Sequence, residues 1–269
     1  MIRKLGLALS IVVALATTAH AQRAPDMATL DRGDGITKIG IDLGLTLLEH
    51  PPYDMTLRLE PYGQLVLDSG LGFYGAIPIS MSFGGDDNPP PLPQDATALG
   101  NVDLGLLYVI GGNPDWSIVF RGGVAVPTAS DGLDESATNV YASFPRMTDV
   151  ALAYPNAWYV RLGVSPLYHA GKLFLRADLG FDLGLDDDGA DELVRLNLGG
   201  GIDLDMLALS LELVNTANLD VDDWNHGVAV TVRFMGESLQ PFIAVGTPLD
   251  DGLRDSVNLF VSGGLVVAF

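Results

Sequence analysis

The chain has 269 residues, a formal charge of −20 and no cysteine, with a mean hydropathy of +0.29. The acid excess argues against nucleic acid as a partner, and the missing cysteine excludes a small disulfide scaffold and any thiolate metal site. Positive hydropathy beside so much charge calls for apolar residues spread over alternating positions rather than gathered into one segment.

The first residues, MIRKLGLALSIVVALATTAHAQ, carry Arg3 and Lys4, an apolar run from Leu5 to Ala16, and the small-x-small site Ala19-His20-Ala21. That is the layout of a secretory signal peptide, residues 1–21, cut before Gln22. The run is too short for a membrane helix, which needs about 20 residues, and no later apolar run is long enough either. Removing Arg3 and Lys4 leaves 12 basic residues against 34 acidic ones, a formal charge of −22. Residues 22–35 are expected as a periplasmic N-terminal segment and residues 36–269 as one domain, with no composition break to divide them.

From residue 36 on, apolar and polar residues alternate with the period of two that puts successive side chains on opposite faces of a strand. Twelve strands are expected, at about residues 36–48, 53–67, 71–83, 101–110, 115–127, 156–168, 172–185, 191–204, 206–214, 224–235, 238–247 and 256–269. In the first, Ile39, Ile41, Leu43, Leu45 and Leu47 oppose Gly40, Asp42, Gly44 and Thr46. In the seventh, KLFLRADLGFDLGL, Leu173, Leu175, Leu179, Phe181, Leu183 and Leu185 oppose Arg176, Asp178 and Asp182. The connections alternate as well. Those after strands 2, 4, 6, 8 and 10 are short, such as Asp68-Ser69-Gly70 and HAGK from His169, while the longest runs from Thr128 to Pro155. Short turns at one end and long loops at the other are the layout of an up-and-down meander in an outer membrane, with the short turns periplasmic.

The chain ends SGGLVVAF, with Ser262, Gly264, Val267 and Phe269 spaced polar-x-Gly-x-x-apolar-x-aromatic. This resembles the C-terminal assembly signal of bacterial outer-membrane β-barrel proteins. The resemblance implies an all-β fold, a single closed antiparallel barrel in the cell outer membrane, with the last strand read by the barrel-insertion machinery and lipid and lipopolysaccharide around the wall. The physical argument agrees, because lipid offers backbone groups no water and spanning strands must close without a free edge. The alternative is a soluble periplasmic sandwich or lipocalin-like barrel with the apolar face turned inward. Trp116, Trp158, Trp224, Tyr53 and Tyr159 fall near strand ends, where an interfacial girdle would sit.

In the membrane reading the polar face lines a lumen. Arg58, Arg121, Arg161, Arg176, Arg195 and Arg233 fall on inward positions, since an arginine facing lipid costs about 2–4 kcal/mol at the midplane. Arg121, Arg161, Arg176 and Arg195 occupy consecutive strands five to eight, whereas Asp42, Glu60 and Asp103 occupy strands one, two and four, so the charges form largely opposed walls. Asp178 and Asp182 break that separation. Inward glycines (Gly40, Gly44, Gly105, Gly123, Gly163, Gly180, Gly184, Gly199 and Gly201) leave room for water in a barrel of this width. The expected function is a passive channel or small-solute transporter that selects by charge at these lumen residues, with the solute unspecified and no cofactor.

Two alternatives stand beside it. A plugged barrel would act as an adhesin or interaction protein through its acidic outer loops: Asp86-Asp87, Asp131 with Asp134 and Glu135, DDDGADE from Asp186, Asp220 with Asp222 and Asp223, and Asp250-Asp251 with Asp255. Such loops are also candidate seats for divalent cations, although DDDGADE lacks calcium-loop spacing. A membrane-embedded hydrolase would need His50 or His226 in reach of a serine or aspartate, with Asp222 and Asp223 as neighbours of His226. Within the long Thr128–Pro155 connection, Val140, Tyr141, Phe144, Met147, Val150 and Leu152 carry enough apolar surface to fold against the barrel. Part of it is expected in the barrel mouth, with Arg146 meeting a rim or lumen carboxylate.

Overall fold

The computed structural model describes residues 27–32, 34–49, 52–84, 95–113, 115–185, 192–221 and 223–269. The expected signal peptide, His50, Asp86, Asp87, Asp222 and most of the DDDGADE stretch lie outside these.

Strands β1 (Lys38–Leu48), β2 (Met55–Val66), β3 (Leu71–Ala76), β4 (Ile79–Phe83), β5 (Thr97–Leu99), β6 (Val102–Asn113) and β7 (Trp116–Val126) form the first half of one sheet. Strands β8 (Tyr159–Ala170), β9 (Leu173–Gly184), β10 (Leu193–Asp203), β11 (Leu207–Asn218), β12 (Asp223–Phe234), β13 (Leu239–Pro248) and β14 (Val257–Ala268) complete it. The pairing is antiparallel throughout, and β1 pairs with both β2 and β14, so the sheet closes on itself. The closing register sets Lys38 opposite Ala268 and Leu45 opposite Val261, and the Phe269 N–H donates to the Thr37 carbonyl at 3.0 Å.

The fourteen segments make twelve crossings. The lower half of β2 pairs with β3 and its upper half with β4, so β3 and β4 are one strand broken at Ile77-Pro78. Its neighbour is broken at Gly100-Asn101, with β4 beside β5 and β3 beside β6. The two breaks lie side by side, for Gly100 N–H reaches the Pro78 carbonyl at 2.9 Å. Proline has no N–H for the ladder. Asn101 turns its polar groups to the outer connection instead.

Side chains sort as lipid requires. Ile39, Ile41, Leu43, Leu173, Leu175, Leu179, Leu209, Leu211 and Ile243 are exposed on the outer surface, with Phe181 and Leu183 half-buried on the same face. Arg176, Asp178 and Asp182 point inward and are buried. Hiding a leucine from water is worth about 1.5–3 kcal/mol, so a soluble barrel would not turn its leucines out and its guanidinium groups in. The soluble alternative is thereby overturned. None of the described helices is long and apolar enough to cross a membrane, and unbroken strands of ten to twelve residues match the length a tilted crossing needs. Short turns close one end. Gly70 sits there at φ +82°, where an added Cβ would meet the Val109 carbonyl oxygen at 2.5 Å.

The β7–β8 connection carries helix α1 (Leu133–Ala142) and a 3-10 segment, Phe144–Leu152. The 3-10 segment touches β1, β11 and β14, across the barrel from β7 and β8. Tyr53 and Tyr159, expected in the interfacial girdle, are buried beneath this connection. Tyr53 donates to the Asp134 carbonyl at 3.1 Å, and Tyr159 packs with Ala125, Leu152 and Leu193. Trp158 and Trp224 do stand exposed at strand ends.

The charged lumen as candidate functional site

The interior is occupied by two pieces of chain that come from opposite ends of the barrel. From the β1 end, residues 27–32 and 34, expected on the periplasmic side, run inside the lumen. Their direction is fixed at the base by Lys38, whose ammonium meets Asp34 at 2.8 Å. From the outer end comes the 3-10 segment.

Consecutive residues of the N-terminal segment match the two charged walls. Asp31 takes Arg195 Nη1 on both carboxylate oxygens at 2.8 and 2.9 Å and Arg121 Nη2 at 2.5 Å. Arg32 turns the other way, to Glu60 at 2.5 Å and Asp42 at 2.7 Å, with its guanidinium 4.1 Å from the centre of the Tyr62 ring. Further in, Thr29 donates from its N–H and its hydroxyl to Glu212 at 2.8 and 2.6 Å. Met27 and Leu30 pack with Phe174, Met147, Ala208 and Val214.

The outer connection adds Arg146, which donates to Asp149 at 2.6 Å and to the carbonyls of Ala28 and Leu30 at 2.8 and 3.2 Å, and stands 3.9 Å from Asp42. The expected contact of Arg146 with a lumen carboxylate is therefore present. Arg161 gathers Asp103 at 2.7 Å, Asp149 at 2.9 Å and Asp182 at 3.2 Å. Arg195 also reaches Asp182 at 2.8 Å, Arg176 pairs with Asp178 at 2.9 Å, and Arg58 with Glu60 at 2.5 Å. Arg233 lies 4.4 Å from the centre of the Phe242 ring. All eleven expected lumen residues thus face inward, and the arginines of strands β7 to β10 are joined to the acids of β1 and β2 through Asp31-Arg32.

One expectation is corrected. Among the described residues, the space beside at least six of the nine inward glycines is filled by side chains rather than left open to water. Tyr62 lies against Gly40, Pro145 against Gly44, Tyr74 against Gly105 and Gly123, Arg195 against Gly180, and Met27 against Gly199, each where a Cβ would overlap it. The space lined by Asp42, Arg58, Glu60 and Arg146 holds about 10 Å³, and that lined by Arg32, Tyr74, Asp103 and Arg121 about 20 Å³, each near the volume of one water. Glycine in this lumen makes seats for side chains.

Several residues here were not singled out in the sequence. Glu212 was within reach, being on the inward parity of a strand whose Leu209 and Leu211 face out, and Lys38 likewise shares parity with Gly40 and Asp42. Asp31, Arg32 and Asp149 sit in segments without strand periodicity, so parity could not place them.

At the outer rim, His226 Nδ1 meets Asp250 at 2.7 Å and its ring stacks on Trp224 with centroids 6.2 Å apart. The partner is Asp250; of the two neighbours anticipated from the sequence, Asp223 is not its partner and Asp222 lies outside the described residues. Among the described residues no cluster of three or more His, Asp or Glu is arranged to hold a metal. Ser262, Gly264 and Val267 lie on β14, which ends just before Phe269.

No family profile matches the chain, and neither does any curated protein sequence. Solved structures do. The COG4313 outer-membrane channel from Pseudomonas putida F1 is similar at 15% identity and a TM-score of 0.62, over 89% of this chain and 100% of that one. The KdgM porin is similar at 11% identity and a TM-score of 0.53, over 86% and 99%. The NanC porin follows at 8% identity and 0.51, over 86% and 98%. At such identities the likeness is one of fold. Together with the closed ladder and the apolar outer wall, it identifies the chain as a twelve-stranded outer-membrane β-barrel.

Proposed function

We propose that the protein is a passive channel for small charged solutes, with the inward Arg58, Arg121, Arg161, Arg176, Arg195, Arg233, Asp42, Glu60, Asp103, Asp178 and Asp182 as the selecting groups, and with the N-terminal segment, residues 27–32 and 34, as the element that closes it. The observation that carries this is the match between Asp31-Arg32 and two walls of opposite sign. Strand carboxylates also pair with Arg58, Arg161, Arg176 and Arg195, whereas among the described residues the ion pair of Arg121 is with Asp31 of the segment. Withdrawal of the segment exposes a charged, water-accessible path on the β1 side, where a solute's own charges take the place of Asp31 and Arg32. Interaction with the insertion machinery through Ser262, Gly264, Val267 and Phe269, and with lipopolysaccharide or divalent cations at the acidic loops, belongs to the same proposal.

Single-channel recording in planar bilayers tests it. The chain shortened to begin at Ile36 should give stable open steps, while the full chain stays mostly closed. Silence from both would sink the channel and favour the plugged interaction protein, which the packed outer connection supports. A hydrolase at His226–Asp250 would instead lose ester or peptide hydrolysis on His226→Ala.

A further inference from the structure

The seat of Asp31 is more specific than a charge match. Its carboxylate receives Arg195 and Arg121, and Thr148 donates to it at 3.3 Å. Its main-chain N–H donates to Asp178 at 3.1 Å, and its carbonyl accepts from Arg176. Three different strands, β7, β9 and β10, and the outer connection thereby converge on one residue that belongs to none of them. Arg195, Asp178 and Arg176 are each less than 5% exposed, and all three are fixed by the barrel wall. Among the described residues Asp31 is the carboxylate that meets Arg121. If the segment leaves, Arg121 faces the lumen without that partner, and a buried cation with no anion is costly.

We propose that the wall around Asp31 is a binding site for a solute bearing a carboxylate beside an amide, such as an acylated acidic amino acid or the end of a short acidic peptide, and that the N-terminal segment occupies this site as a built-in competitor. This deepens the channel reading and rests on it. The carboxylate takes Arg121 and Arg195, the amide N–H takes Asp178, and the amide carbonyl takes Arg176. A solute with a neutral amide in place of the carboxylate leaves both arginines without a counter-charge and is rejected. Arrival of the right solute is thereby coupled to opening, because it and Asp31 cannot share the two guanidinium groups.

The chain has no cysteine, so Met27→Cys places a single thiol on the segment, at a position only 1% exposed. The rate of its modification by a water-soluble maleimide in the detergent-solubilised full chain reports departure of the segment. N-acetyl-aspartate amide is expected to raise that rate about tenfold at saturation, as a ligand that binds only the vacated site must. N-acetyl-asparagine amide, and sodium chloride at equal ionic strength, should leave it unchanged. Adding Asp31→Asn should raise the rate without any ligand, and adding Arg121→Gln should raise it and abolish the response. Equal rates with the two amides in both the Met27→Cys chain and its Asp31→Asn derivative would overturn the proposal. A silent Ile36 chain in bilayers would instead remove the channel and leave the labelling result to stand by itself.

Discussion

The N-terminal segment and the β7–β8 connection fill the same lumen, yet different forces hold them. The connection is built of helix and 3-10 turns, tied by backbone and amide bonds. Asn101 alone donates to the Ala151 and Tyr154 carbonyls at 3.2 and 2.7 Å and accepts from Ala129 N–H at 2.9 Å. Beneath it lies an apolar cluster of Ala125, Ala151, Leu152, Ala157, Tyr159 and Leu193. Burial raises the Tyr53 phenol above its ordinary pKa, with hydrogen bonds to Thr138 and Ser82 opposing, as expected of a group sealed under a fixed lid. The described residues of the N-terminal segment form no helix or strand; Asp31, Arg32 and Thr29 meet charged groups fixed on strands, and Met27 and Leu30 pack with Phe174, Ala208 and Val214. Charges can be exchanged for other charges, whereas a packed apolar cluster has no soluble substitute. In the channel reading proposed above, the segment is the gate and the connection keeps the shape.

The largest effect expected from breaking this contrast follows Asp31→Asn. Removing one partner of a buried ion pair costs about 3–5 kcal/mol, here charged to the closed state, so the open probability in bilayers should rise by at least a hundredfold. An unchanged open probability would show that the segment is held by Met27 and Leu30 instead.

A smaller effect sharpens the wall itself. Leu179→Arg puts a guanidinium on the lipid face near mid-strand and should destabilise the folded barrel by about 2–4 kcal/mol. Refolding into lipid vesicles, followed by the heat-dependent shift in gel migration, measures it. The same shift in a chain carrying Asp31→Asn should stay close to wild type, because the barrel wall does not depend on the segment.

The smallest effect concerns the connection. Asn101→Ala leaves the Ala151 and Tyr154 carbonyls and the Ala129 N–H without this partner and should cost about 1–3 kcal/mol. It is expected to lower the temperature of the migration shift while leaving the open probability of the full chain near its original value. A large rise in conductance would make the connection, not the segment, the gate.

The fold was legible because parity carries it. A period of two assigns Leu173 and Arg176 to opposite faces, and the terminal SGGLVVAF says which face meets lipid. Parity also put all the expected lumen charges on the inside, and the apolar residues of the Thr128–Pro155 stretch marked it as a packed element. The filling of the lumen was not legible. Gly40 and Gly199 look like empty space in sequence, and only their neighbours Tyr62 and Met27, distant in the chain, show them to be seats. Asp31 and Arg32 belong to a segment without periodicity, so their function depends on where the first strand delivers them. The breaks at Pro78 and Asn101 escaped for a related reason. Pro78 lies within an otherwise regular run, and the partner that makes a break useful, the outer connection, is some fifty residues away.

The most direct test of the account ties the position of the segment to closure in one molecule. Met27 and Gly199 approach so closely that a Cβ at Gly199 would overlap the Met27 sulfur, so a cysteine at each position is the pair with which to tether the segment to the wall. In a full chain carrying Met27→Cys, Gly199→Cys and Asp31→Asn, single-channel conductance is recorded before and after addition of reductant. The account predicts silence while the bond is formed, open steps once it is reduced, and silence again on reoxidation. Equal conductance in the oxidised and reduced states, with the bond verified by mass, would contradict it.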